Sequence, residues 1–140
     1  MNLQRWQGPV RLDPNGAPIT RLTLAADKDA PARARIAVGR AADHASEDVV
    51  ERATLLTSEV VTNSVVHSGG EEVRLAICRV DGSIAVAVCD DGRGFAPLAL
   101  AGRTPDKGGG LGLALLDMLA EAWGSGHDVE TWVWFRVSPR

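Results

Sequence analysis

Hydrophobic and polar positions change period several times along the chain, and each change marks an element. TRLTLAA, from Thr20 onward, alternates with Leu22 and Leu24 on one side, the two-residue period of a strand. Ala34, Ala37, Val38 and Ala41 then recur at helical spacing. Asp27 or Asp29 can cap that helix and Pro31 fits its first turn, with an end expected near His44. Ser46 is a good N-cap for a second helix, with Glu47, Asp48 and Glu51 near its start and Val49, Ala53, Leu56, Val60 and Val66 as its apolar positions. Ser68-Gly69-Gly70 ends it after His67. Two alternating segments, Glu72 to Val80 and Ser83 to Asp90, flank Asp81-Gly82, a strong hairpin signal. Ala96 to Lys107 reads as a mobile loop, followed by a helix from Leu111 to Ala122 and a last strand from Val129 to Val137. Residues 1–19, rich in glycine and proline, form a loose lead-in to a single domain over 20–140. The order βα-α-ββ-α-β argues for a two-layer α/β fold, one sheet with helices packed on one face.

The phase of the alternation singles out certain polar residues. Ile84, Val86 and Val88 share a strand face with Asp90, whereas the other face carries only Ala85, Ala87 and Cys89. Asp90 therefore ends the bulky, helix-covered face, where an acid needs a purpose. Glu59, Asn63 and His67 stand four residues apart, so at about 3.6 residues per turn they project from one helical face. The GGGLGL run from Gly108 to Leu113 opens a helix, where free N–H groups and the helix dipole can receive phosphate. Singly, each has a bland reading: Asp-Asp-Gly is an ordinary turn, Glu59 and Asn63 an exposed pair, His67 a dipole partner at a helix end. GGGLGL is neither a Walker A loop nor a dinucleotide fingerprint. In this order, together, they point to an ATP site.

Composition removes other classes. The 140 residues are 45% hydrophobic and 24% charged, an ordinary globular balance for one domain. The net charge is −3, and no Lys/Arg stripe suited to nucleic acid occurs. The absence of a long apolar run or a signal-peptide start gives the expectation of a cytoplasmic protein with no membrane contact. Cys78 and Cys89 fall inside strands without Cys-x-x-Cys spacing, so buried reduced thiols are expected rather than a redox pair. His44, His67 and His127 lack metal-ligand spacing. Trp132 and Trp134 alternate with Thr131, Val133 and Phe135, which sends the indoles to the face opposite the nucleotide. Either flanking residues such as the N-terminal segment with Trp6 cover them or they form a self-association or partner surface, as in a homodimer.

EVVTNSVVH (Glu59 to His67), DDGRGF (Asp90 to Phe95) and GGGLGL together make the chain similar to the Bergerat-fold ATPase superfamily of histidine kinases and gyrase. Its fold would be a two-layer sandwich with a mixed sheet and helices on one face. Within that superfamily the chain most resembles stand-alone bacterial anti-sigma factor serine kinases, over roughly residues 20–137 and including Trp123-Gly124. The resemblance implies ATP and Mg²⁺ as ligands, with Asn63 coordinating the ion, Asp90 accepting a hydrogen bond from the adenine amino group, and Gly92 and Gly94 letting the backbone pass the base. It places Gly108, Gly110, Leu111 and Gly112 around the triphosphate, with Lys107 or Arg103 as a phosphate contact and His67 among the cofactor-binding residues. Glu59 would be the general base.

Two positions depart from the pattern. The family's threonine precedes Val-Trp directly, whereas here Trp132 holds that place and Thr131 comes before it. Asp43-His44 stands where a Trp-Gly is usual. The implied function is sequestration of a sigma factor and phosphorylation of a serine on an anti-anti-sigma antagonist. The rivals are an ATP-binding regulatory module without kinase activity and a histidine kinase-like catalytic domain of another signalling complex. A catalytic fragment of a sensor histidine kinase is disfavoured because the chain begins at Met and shows no dimerisation helix bearing a phosphoacceptor His.

Overall fold

In a computed structural model that describes residues 19–67, 69–91, 110–127 and 130–140, five strands form one sheet and helices cover one of its faces. β1 (Ile19–Ala25) leads through α1 (Ala30–Ala41) and α2 (Glu47–His67) to the hairpin of β2 (Glu72–Val80) and β3 (Ser83–Asp90). α3 (Gly110–Leu119), β4 (Ala122–His127) and β5 (Thr131–Val137) complete the described elements. The spatial order is β1-β2-β3-β5-β4, and every neighbouring pair is antiparallel.

The two-layer α/β architecture matches the expectation, but β4 was not foreseen, and it changes the sheet from mixed to antiparallel. Without β4, the strand after α3 would run parallel to β3. With it, the chain crosses from β3 over α3 to the sheet edge and returns as β5 between the two, antiparallel to both. The helix also stops at Leu119 instead of Ala122, because the Glu121 N–H already donates to the Arg136 carbonyl of β5. AWGSGH lacks strand propensity, since glycine and serine are poor strand formers. Packing supplies what propensity does not: Gly124 and Gly126 pair with Trp134 and Trp132, and a Cβ at either glycine would sit 2.6 or 2.1 Å from the indole across from it. The two rings lie over the bare backbone, the same device by which aromatic partners rescue strand glycines.

Capping fixes the helix ends. Ser46 Oγ accepts the Val49 N–H, as expected of an N-cap. Asp29 occupies the N-cap position of α1 without a side-chain capping bond, while Asp27 accepts the Asp29 N–H instead. Gly69, past the end of α2, takes φ +70°, a left-handed conformation open to glycine without strain. At the hairpin, Asp81 takes φ 53°, which Asp tolerates better than most residues.

The main core lies between helices and sheet: Val38, Leu56, Val60, Leu75, Ile77, Val86, Leu116 and Phe135 are among its buried members. Val66, read as apolar-face, is instead 65% exposed. Six residues beyond Val60 is about a third of a turn, roughly 120°, out of phase at 3.6 residues per turn, so it points away from the core stripe. A smaller cluster of Ala76, Cys78, Ala85, Ala87 and Trp134, with Trp132 beside it, occupies the opposite sheet face, where alternation placed the indoles. The two cysteines are not joined in a disulfide, as expected: Cys78 pairs with Ala85 and Cys89 with Arg74, well separated along the hairpin. No helix among the described residues is long and apolar enough to cross a membrane.

One buried cation ties the layers together. Arg52, 7% exposed on α2, donates to the Leu119 carbonyl at the end of α3, to the Ser138 carbonyl after β5, and to Asp48 Oδ2. Arg52→Met leaves two carbonyls without that donor and is expected to cost about 2–4 kcal/mol in urea unfolding at neutral pH. The hydrogen bonds from Arg52 hold the Asp48 carboxyl below its ordinary pKa. A depressed carboxylate contributes stability above its unfolded pKa and loses it as pH falls through the folded one. The gap between wild type and Arg52→Met should therefore be constant from neutrality down to about pH 4 and narrow below it.

Candidate functional site

Topology brings the singled-out residues to one end of the domain. α2 ends at His67 only a few residues before β2, and Val73 near the start of β2 pairs with Asp90 at the end of β3. The C-terminal part of α2 therefore lies at the Asp90 end of the sheet. α3 finishes at Leu119, beside the other end, where Ala122 pairs with Arg136. Its N-terminus at Gly110 consequently faces the Asp90 end as well, with Gly110, Leu111 and Gly112 forming its first turn. Gly92, Gly94, Arg103, Lys107, Gly108 and the whole Ala96 to Lys107 loop lie outside the described residues.

Asp90 and Thr131 are direct partners across β3 and β5, both facing the helices, and both almost fully buried at 1% and 2% exposure. Val73 flanks Asp90 on its other side. Apolar pairs fill this face behind them, Val88 with Val133 and Val86 with Phe135. A carboxyl and a hydroxyl thus stand side by side where an otherwise apolar face ends. The displacement of Thr131 by one residue from the family pattern does not remove it from this position, because the register aligns it with Asp90.

On α2, Glu59 and Asn63 are half-buried and His67 is exposed, so the polar seam emerges from the core toward the same end. Ser64, buried beside Asn63, and Thr57, whose hydroxyl donates to the Ala53 carbonyl, accommodate polar groups within the helix packing. The set offers a carboxylate acceptor next to a hydroxyl, an amide oxygen, a second carboxylate and a helix N-terminus. An acceptor and a hydroxyl at the end of an apolar wall suit a purine amino group. A neutral amide oxygen suits Mg²⁺, a hard ion that keeps other oxygen ligands. A helix N-terminus suits phosphate. The residues fit a Mg²⁺-nucleotide.

Sequence reasoning missed a second polar group, directly behind this site on the other face of the sheet. Arg74 Nη2 donates to Asp91 Oδ1 at 2.8 Å and to Glu130 Oε2 at 2.7 Å, while the Cys89 thiol donates to Glu130 Oε2 at 2.7 Å. Burial, then the neighbouring Glu130 carboxylate, pushes the Cys89 thiol up to about 12, so it stays protonated and is no nucleophile near neutrality. The contact with Asp91 chiefly, and that with Glu130, raise the Arg74 pKa further. The signal was present: counting back along the hairpin from the Val80–Ser83 pair sets Arg74 opposite Cys89. Glu130 could not be added, since β5, the strand it leads into, pairs with β3 antiparallel only through the unforeseen β4 connection.

The family model for the histidine kinase-like ATPase domain matches residues 24–137. A separate comparison with curated proteins found no match.

Proposed function

The chain belongs to the histidine kinase-like ATPase family, and from that premise we propose that it is a Mg²⁺·ATP-dependent protein serine kinase of the anti-sigma factor type. The observation that carries the nucleotide part is the buried Asp90–Thr131 pair at the site end of the sheet. Asp90 would accept the adenine amino group's hydrogen bond, and Thr131 would support the same edge of the base. Asn63 would hold Mg²⁺ through its amide oxygen, and the first turn of α3 would receive phosphate. When bound, the ion neutralises charge on the phosphates.

The kinase part rests on Glu59, one turn before Asn63 on the same side of α2. In the proposed reaction a serine hydroxyl oxygen bonds to the γ-phosphorus, the bond to the β–γ bridging oxygen breaks, ADP leaves, and Glu59 takes the hydroxyl proton. The protein substrate would be an anti-anti-sigma antagonist and the sequestered partner a sigma factor. The support for these partners is the resemblance of EVVTNSVVH and its neighbouring motifs to that subgroup.

Calorimetry tests the nucleotide part. ATP and ADP are expected to bind with Mg²⁺ dependence. Asp90→Asn, which replaces an acceptor with an amide that can present N–H to the amino group, should weaken both nucleotides by about tenfold or more. Asn63→Ala should weaken Mg²⁺·ATP and leave metal-free ADP closer to wild type. Unchanged affinities in both folded variants would remove the assignment. Transfer of γ-phosphate to a co-encoded antagonist tests the kinase part, and ATP binding without transfer would replace it with a nucleotide-gated binding module.

A further inference from the structure

Arg74 lies on the face of the sheet away from the helices, yet its ion-pair partners are the chain neighbours of residues assigned to the nucleotide. Asp91 follows Asp90, and Glu130 precedes Thr131. Both stand just past the strand ends and both reach Arg74, on the face opposite Asp90 and Thr131. A tie between residues 91 and 130 on one face therefore fixes the backbone that aims residues 90 and 131 into the other.

Asp90 and Thr131 form the last pair of the β3–β5 ladder. Ladder ends are where strands fray most readily. Arg74 bridges just past that pair from the third strand, β2, with one Nη2 reaching both carboxylates. Cys89, the residue before Asp90, is held by the same group through Glu130 and a longer contact to Arg74 at 3.7 Å. The guanidinium is about three-quarters buried and Glu130 four-fifths buried, so that arm is shielded from salt more than the arm to Asp91, whose side chain is 61% exposed.

We propose that Arg74 is a positioning residue for adenine recognition: by clamping Asp91 and Glu130 behind the sheet, it holds Asp90 and Thr131 aligned in front of it. The proposal rests on the nucleotide reading above. Its consequence is specific. Loss of Arg74 removes the bridge between Asp91 and Glu130 and loosens the strand ends, so recognition of the base suffers more than binding of the phosphates.

The test compares ATP with inosine triphosphate, which carries an oxo group in place of the adenine amino group. Wild type should prefer ATP. Arg74→Met should lose about tenfold in ATP affinity, while inosine triphosphate affinity changes little and the preference shrinks by a similar factor. Arg74→Lys, which keeps the charge but lacks the planar fork, should fall between. A merely destabilised protein would lose affinity for both nucleotides alike. An unchanged ATP preference in folded Arg74→Met overturns the proposal. Should that variant not fold, Glu130→Gln, which keeps Arg74 and weakens one arm, reads the same ratio, and an unchanged ratio there overturns it. A wild type that binds neither nucleotide, or shows no preference between them, overturns the nucleotide reading itself and is distinguishable from both.

Discussion

Glu59→Ala is expected to slow transfer of the γ-phosphate to a serine substrate by about 10²–10⁴-fold, the usual contribution of a positioned general base. Affinity for Mg²⁺·ATP should change little, because Glu59 lies a helical turn from Asn63 and at the far side of the seam from the Asp90–Thr131 pair. Glu59→Gln keeps shape and removes the charge, so it should be nearly as inactive. Single-turnover transfer assays beside calorimetry separate the two quantities. A wild-type transfer rate in Glu59→Ala would dismiss the proposed base. Equal losses of rate and nucleotide affinity would instead assign Glu59 to binding.

Phe135→Ala is expected to destabilise the protein by about 3–5 kcal/mol in urea unfolding. Phe135 is fully buried, central on β5, and paired with Val86 on one side and Trp123 on the other. Truncation loses the transfer free energy of the ring and leaves a cavity between sheet and helices. Against a typical stability of about 5–15 kcal/mol, that loss can unfold much of the population at moderate temperature. Phe135→Leu keeps most of the volume and should cost under about 1.5 kcal/mol beyond local repacking. A cost below about 1 kcal/mol for the alanine would mean that the helical layer does not close over β5.

Much of this protein was legible in local pattern, because local pattern is what decides those features. The β2–β3 hairpin was bounded correctly at both ends, since alternation and Asp-Gly act within a few residues. The same alternation assigned Asp90 to the helix-covered face and the indoles of Trp132 and Trp134 to the other, which the structure bears out. Helical spacing placed Glu59 and Asn63 on one side of α2, and the nearby motifs carried the family resemblance that the match over 24–137 supports. What tertiary structure alone decided were relations between segments distant in sequence. β4 exists because two indoles cover glycines that by themselves favour a loop, and its insertion makes β5 antiparallel. That register sets Thr131, one place off the expected motif, directly beside Asp90. The same register gathers Arg74, Asp91 and Glu130 into one clamp, because ion pairs form where strands meet in space and leave no periodic trace along the chain.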